Sequence, residues 1–126
     1  MSSETPSSSD RDPRLYVADM LEFTQRALSD AGGDSLSSLQ ADRMRYDAIL
    51  RNLELIGEAA THIDPAQRLL APSIPWRQIV ATRKRVAHAY LGIAPETVWS
   101  ILCDDLPPLV DDLKVLIAAL DPSAPR

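Results

Sequence analysis

The chain has 126 residues, 45% of them hydrophobic and 25% charged, with a formal net charge of −5. That length suits one domain, and that composition excludes disorder over most of it. No apolar run approaches the roughly 18 residues of a membrane span, the first residues lack the apolar core of a secretory signal, and the lone Cys103 can form neither an internal disulfide nor a multi-cysteine metal site. The expected setting is cytoplasmic, with no membrane association.

Aromatics are 5% of the chain, Leu and Ala are abundant, and no alternating strand pattern of useful length occurs. This predicts an all-α fold. Residues 1–12 are Ser-rich and polar, and read as a disordered leader. The first helix should open at Asp12-Pro13, Asp as N-cap and Pro at the first helical position, carry Leu15, Ala18, Met20, Leu21, Phe23 and Leu28, and stop at Gly32-Gly33. A second helix is expected from about Ser38 to His62, burying Met44, Ala48, Ile49, Asn52, Leu53, Ile56 and Ala60. Gly57 lies inside it, where glycine costs about 1 kcal/mol relative to alanine. Close approach of another helix is the usual compensation. Glu54 and Glu58 share a face there, and read either as solvated side chains or as a pair that orients a basic partner.

After Asp64-Pro65 comes a short helical turn, then the irregular segment Ala71-Pro72-Ser73-Ile74-Pro75. The third helix starts at Pro75 or Trp76 and runs to Tyr90, with Gly92 as its C′ residue. Pro95 and Glu96 open a fourth, which Pro107-Pro108 must kink or split before Leu109, Leu113, Leu116, Ile117 and Leu120. The sum is an up-and-down bundle of four to five helices over residues 13–120, with a frayed tail at 121–126.

Charge is unevenly spread. No acidic residue occurs between Asp64 and Glu96, and that stretch holds Arg68, Arg77, Arg83, Lys84 and Arg85. A basic island in an acidic chain reads as a local anion site or as a solvated helix face. Within it, Arg83, His88 and Tyr90 are side chains that phosphodiester cleavage would use. Arg stabilises charge on phosphoryl oxygens, His transfers protons near neutral pH, and Tyr offers a hydroxyl. The bland alternatives are a capping or surface His and a packed Tyr. Histidines and carboxylates elsewhere show no metal-ligand spacing, so no metal and no cofactor are expected.

The arrangement Arg83-x4-His88-x-Tyr90 resembles the RX4-6HXY motif of the HepT-like family, a branch of the HEPN helical superfamily. Residues 49–59 (ILRNLELIGEA), residues 74–79 (IPWRQI) and the pattern through Val98-Trp99 and Asp105-Leu106-Pro107 extend the resemblance from Arg14 to Leu120. It implies a HEPN-like fold and the toxin of a type VII-like toxin–antitoxin system, a metal-independent endoribonuclease. It further implies an MNT-type nucleotidyltransferase antitoxin that silences the toxin by AMPylation. By resemblance, Arg83 and His88 are the catalytic pair and Tyr90 the modified residue, while Lys84, Arg85 and Arg77 would hold RNA phosphates. Lys84 stands where the family usually has a polar uncharged residue, and this favours the alternative of a non-catalytic nucleotide- or partner-binding subunit.

Helix geometry adds a constraint. At about 100° per residue, Arg83 and His88 point about 140° apart. A single straight helix does not aim both at one phosphate. Either the helix distorts near its end, or a two-fold homodimer brings two third helices to a shared cleft.

Overall fold

The computed structural model describes residues 11–88 and 92–123. It is all-α, with no strand among the described residues. The helices are α1 (Pro13–Ala31), α2 (Leu36–Ala41), α3 (Arg43–Ala60), α4 (Pro65–Arg68), α5 (Trp76–Ala87), α6 (Pro95–Ser100) and α7 (Leu106–Leu120), with a π-helical segment at Ile101–Asp105 between the last two. No helix is long and apolar enough to cross a membrane among the described residues. The four-to-five helix expectation matches the long elements; α4 is the short turn expected after Asp64-Pro65, and α2 is a short addition.

Local chemistry sets the ends. Asp12 caps α1 by accepting from the Arg14 amide at 2.9 Å, and Pro13 occupies the position where a missing N–H costs nothing. Gly32 ends α1 in the left-handed conformation (φ 60°), its N–H bonded to Leu28 O. Arg45 then reaches across from α3 to the carbonyls of Asp30 and Ala31, at 2.7 and 3.0 Å from its Nη2. A cation at these orphan carbonyls satisfies them and opposes the helix dipole.

The expected second helix is two elements. Asp42 closes α2 and caps α3, accepting from the Arg45 amide at 3.2 Å. A competing side-chain cap interrupts what apolar periodicity alone reads as continuous. The stripe is corrected in the same place: Met44 is 84% exposed and Ala48 is also exposed, while Tyr46 and Leu50 are buried. In α1, Leu15 and Ala18 likewise face out, and Tyr16 and Val17 face in.

The core joins Val17, Met20, Ile49, Leu53, Leu113 and Leu116 among others, with α3 packed against both α1 and α5 and α7 against α1. The expected break at Pro107-Pro108 is absorbed differently. The chain widens into the π-helical segment, where the Leu106 N–H bonds to Ile101 O. Each proline ring would collide with the carbonyl four residues earlier in a regular α-helix, and the wider turn gives it room.

Candidate functional site

The basic island folds as α5. Trp76 anchors its start, buried, with Nε1 donating to Ala71 O at 3.2 Å. Its inner face is carried by Trp76 and Val86, with Ile79 and Val80 partly buried, so the arginines and lysine project outward or sideways. Gly57 of α3 lies against it. A Cβ on Gly57 would overlap Arg83 Cβ and come within 3.0 Å of Ile79 O. Close approach is therefore the reason for glycine in this helix, and the residue it admits is the motif arginine.

Arg83 is half-buried, and its Nη2 lies 2.6 Å from Glu58 Oε2, the two side chains being 38% and 47% exposed. Both line a depression of about 290 Å³ together with Arg51, Glu54 and Leu55. Arg51 pairs with Glu54 within it, so two cations there face two carboxylates. Of the two readings for Glu54 and Glu58, Glu58 orients a basic partner. Its other oxygen, Oε1, lies 3.6 Å from His62 Nε2. His62 in turn stacks on Tyr16 of α1, with ring centroids 4.5 Å apart at 18°. Sequence reasoning passed over His62 and Tyr16; the Glu58–His62 spacing of four was the available signal.

α5 ends at Ala87, and His88 is its exposed C-cap residue (φ −89°, ψ 8°) rather than an interior helical position. Tyr90, expected near the helix end, lies outside the described residues. The role given to Gly92 is corrected. It is not the residue after the cap, since the cap is His88. A Cβ there would collide with the Arg85 carbonyl and come within 2.9 Å of His88 Cβ. Glycine lets the returning chain press onto the end of α5. Arg85 fastens this contact, its Nε donating to Gly92 O at 3.2 Å.

Arg77 and Lys84 are exposed and line a second depression of about 370 Å³ with Thr61, Arg68, Val80 and Ala81. The structure thus brings Arg77 and Lys84 together and sets Arg83 and Arg85 in other surroundings. A small apolar cavity of about 40 Å³ lies between α3, α5 and the π-helical segment, with Asp105 on its wall. Burial, and then the charge of Asp104, holds the Asp105 carboxyl above its ordinary range. Among the described residues, no group of three His, Cys, Asp or Glu side chains could hold a metal ion.

The model of the ribonuclease HepT-like family matches residues 16–116. Several relatives bear the name "Putative RNase". One from Methanocaldococcus jannaschii is 28% identical over 108 residues, 86% of this chain and 99% of its own. The one from Caldanaerobacter subterraneus subsp. tengcongensis is 26% identical over 105 residues, 83% of this chain and 94% of its own. A "Probable ribonuclease HepT" from Thermococcus cleftensis is 37% identical over 68 residues, 54% of this chain and 62% of its own. No solved structure matches. With the family model spanning most of the bundle and α5 carrying Arg83 and His88, the chain belongs to the HepT-like ribonuclease family.

Proposed function

We propose that this protein cleaves RNA as the toxin of a toxin–antitoxin pair. The carrying observation is the ribonuclease HepT-like family model over residues 16–116, a span that includes Arg83 and His88. In the proposed reaction a ribose 2′-oxygen attacks the adjacent phosphorus, and the bond to the 5′-oxygen breaks. His88 takes the 2′-OH proton or gives one to the leaving oxygen. Arg83 stabilises the charge gathered on the phosphoryl oxygens. The products end in a 2′,3′-cyclic phosphate and a 5′-hydroxyl, and no metal takes part. Lys84, Arg85 and Arg77 hold neighbouring phosphates.

The proposed active species is a homodimer through the faces of α3 and α5. Arg83 pairs with Glu58 of α3 while His88 is exposed at the end of α5, and the angle of about 140° between them on an ideal helix motivates a shared cleft. A second copy supplies the missing half of a cleft. Silencing is proposed at Tyr90 by an MNT-type nucleotidyltransferase. The Tyr90 oxygen attacks the α-phosphorus of ATP, pyrophosphate leaves and the phenolic proton is lost. The added phosphate then occupies the basic cleft in place of substrate.

A second reading is a non-catalytic nucleotide- or partner-binding subunit, favoured by Arg83 being already engaged by Glu58 and by Lys84 in the motif. Expression of the chain alone separates the two. Growth arrest abolished by His88→Ala supports the ribonuclease, and harmless expression supports the binding subunit. Incubation with the nucleotidyltransferase and ATP should add AMP mass that Tyr90→Phe removes. Light scattering that shows monomer only at micromolar concentration would reject the shared cleft.

A further inference from the structure

Two depressions flank α5, and their charges differ in kind. The one holding Arg83 is balanced, since Arg83 pairs with Glu58 and Arg51 with Glu54. The one lined by Arg68, Arg77 and Lys84 has no acidic residue on its described wall, and the sequence supplies none between Asp64 and Glu96. An anion entering the first displaces a carboxylate; an anion entering the second displaces only water and counterions.

The second depression is also partly built in advance. Arg68 donates from Nε to Ile63 O at 2.9 Å and from Nη2 to Ala60 O at 3.0 Å, and its guanidinium carbon lies 5.5 Å from the centroid of the Trp76 ring. That group is fixed before any ligand arrives, so little side-chain entropy remains to be lost on binding. Arg77 and Lys84 are seven residues apart, on one face of α5 and about 10 Å apart along its axis. With Arg68 opposite, the cations line a trough and do not surround a point. A trough suits a polyanionic strand better than a compact ion.

We infer that the trough formed by Arg68, Arg77 and Lys84 is a separate subsite for the sugar–phosphate backbone of single-stranded RNA, away from the bond that is cut. The inference rests on the ribonuclease reading for the identity of the strand. It separates Arg77 and Lys84 from Arg85, which is held by Gly92 O, and adds Arg68, which the motif does not contain. Its position about 100° around α5 from Arg83 means that substrate recognition extends over a second side of that helix.

The test measures binding of a labelled, fully 2′-O-methylated oligonucleotide, which cannot be cleaved, to the full chain by fluorescence anisotropy across a salt series. Arg77→Gln/Lys84→Gln is compared with wild type and with Lys114→Gln on α7, a neutralisation outside the trough. Each lost single-strand phosphate contact removes about 0.7 from the slope of log K against log salt. The double variant should therefore bind about 25-fold more weakly at about 0.1 M salt, with a slope shallower by about 1.4. Affinity within threefold of wild type with the same slope would overturn the subsite, as would an equal loss in Lys114→Gln. Displacement of the oligonucleotide by inorganic phosphate at equal concentration would also overturn it, because it would reveal a compact anion site. Weakened binding in a protein that cleaves no ordinary RNA upholds the subsite and rejects the ribonuclease reading. Cleavage with unaltered binding does the reverse.

Discussion

Replacing Gly57 with alanine sets two known effects against each other. Alanine is the better helix former, by about 1 kcal/mol in a helix interior. The added methyl, however, would overlap Arg83 Cβ and stand 3.0 Å from Ile79 O. Arg83 Cβ is fixed by its backbone and the Ile79 carbonyl is itself backbone, so neither can turn away and α5 itself must move. Overpacking of this sort typically costs about 1–3 kcal/mol. The net expectation is a loss of up to about 2 kcal/mol, read as a lower midpoint in urea with little change in slope. The displacement also moves Arg83 relative to Glu58 on α3 and relative to the cleft proposed with a second copy. A misplacement near 1 Å can cost about 100-fold in rate, so cleavage of a fluorogenic RNA should fall far more than stability does. A Gly57→Ala protein about 1 kcal/mol more stable than wild type would show propensity acting alone, and would refute close packing of α3 on α5. Wild-type cleavage in that variant would likewise detach Arg83 placement from activity.

Gly92→Ala should destabilise the end of α5, because the blocking atom is the Arg85 backbone carbonyl; a lower melting temperature with faster amide exchange at Val86 to His88 checks this. Glu58→Gln removes the partner of Arg83, but both side chains are more than one-third exposed. Its cost, discounted for solvent screening, should stay within about 1 kcal/mol by urea denaturation. His88→Ala and Arg83→Ala should each reduce cleavage by about 100-fold or more, with chelator having no effect; a chelator-sensitive activity would reject the proposed chemistry. At acid pH, the hydrogen bonds from Arg14 hold the Asp12 carboxyl below its ordinary range. Its contribution is present above the unfolded value near pH 4 and is lost as pH falls through the lower folded value. Asp12→Asn should flatten the decline in urea midpoint over that window.

Much of this was legible in the residues themselves. Composition and periodicity established an all-helical chain, Asp12-Pro13 and Gly32 marked the bounds of α1, and Trp76 marked the start of α5. These signals are local: a cap, a missing N–H or a left-handed glycine acts within one turn of its own position. Gly57 announced a close approach, since a glycine inside a helix asks for a compensating contact. Which residue it meets depended on the α3–α5 packing, and only the folded chain identifies Arg83. The same holds for Glu58. Its spacing from Glu54 and His62 could be counted, but its choice of Arg83 over water required two helices brought together from 25 residues apart. Where tertiary packing overruled the sequence pattern, the causes are also non-local or competing. Asp42 accepts an amide that continuous periodicity assigns to one long helix, the π-helical turn absorbs Pro107-Pro108, and Gly92 is dictated by the Arg85 carbonyl. The division of the basic island into a balanced and an unbalanced depression has the same origin. Charge counts add over a sequence, but which carboxylate reaches which cation is settled by distance in three dimensions.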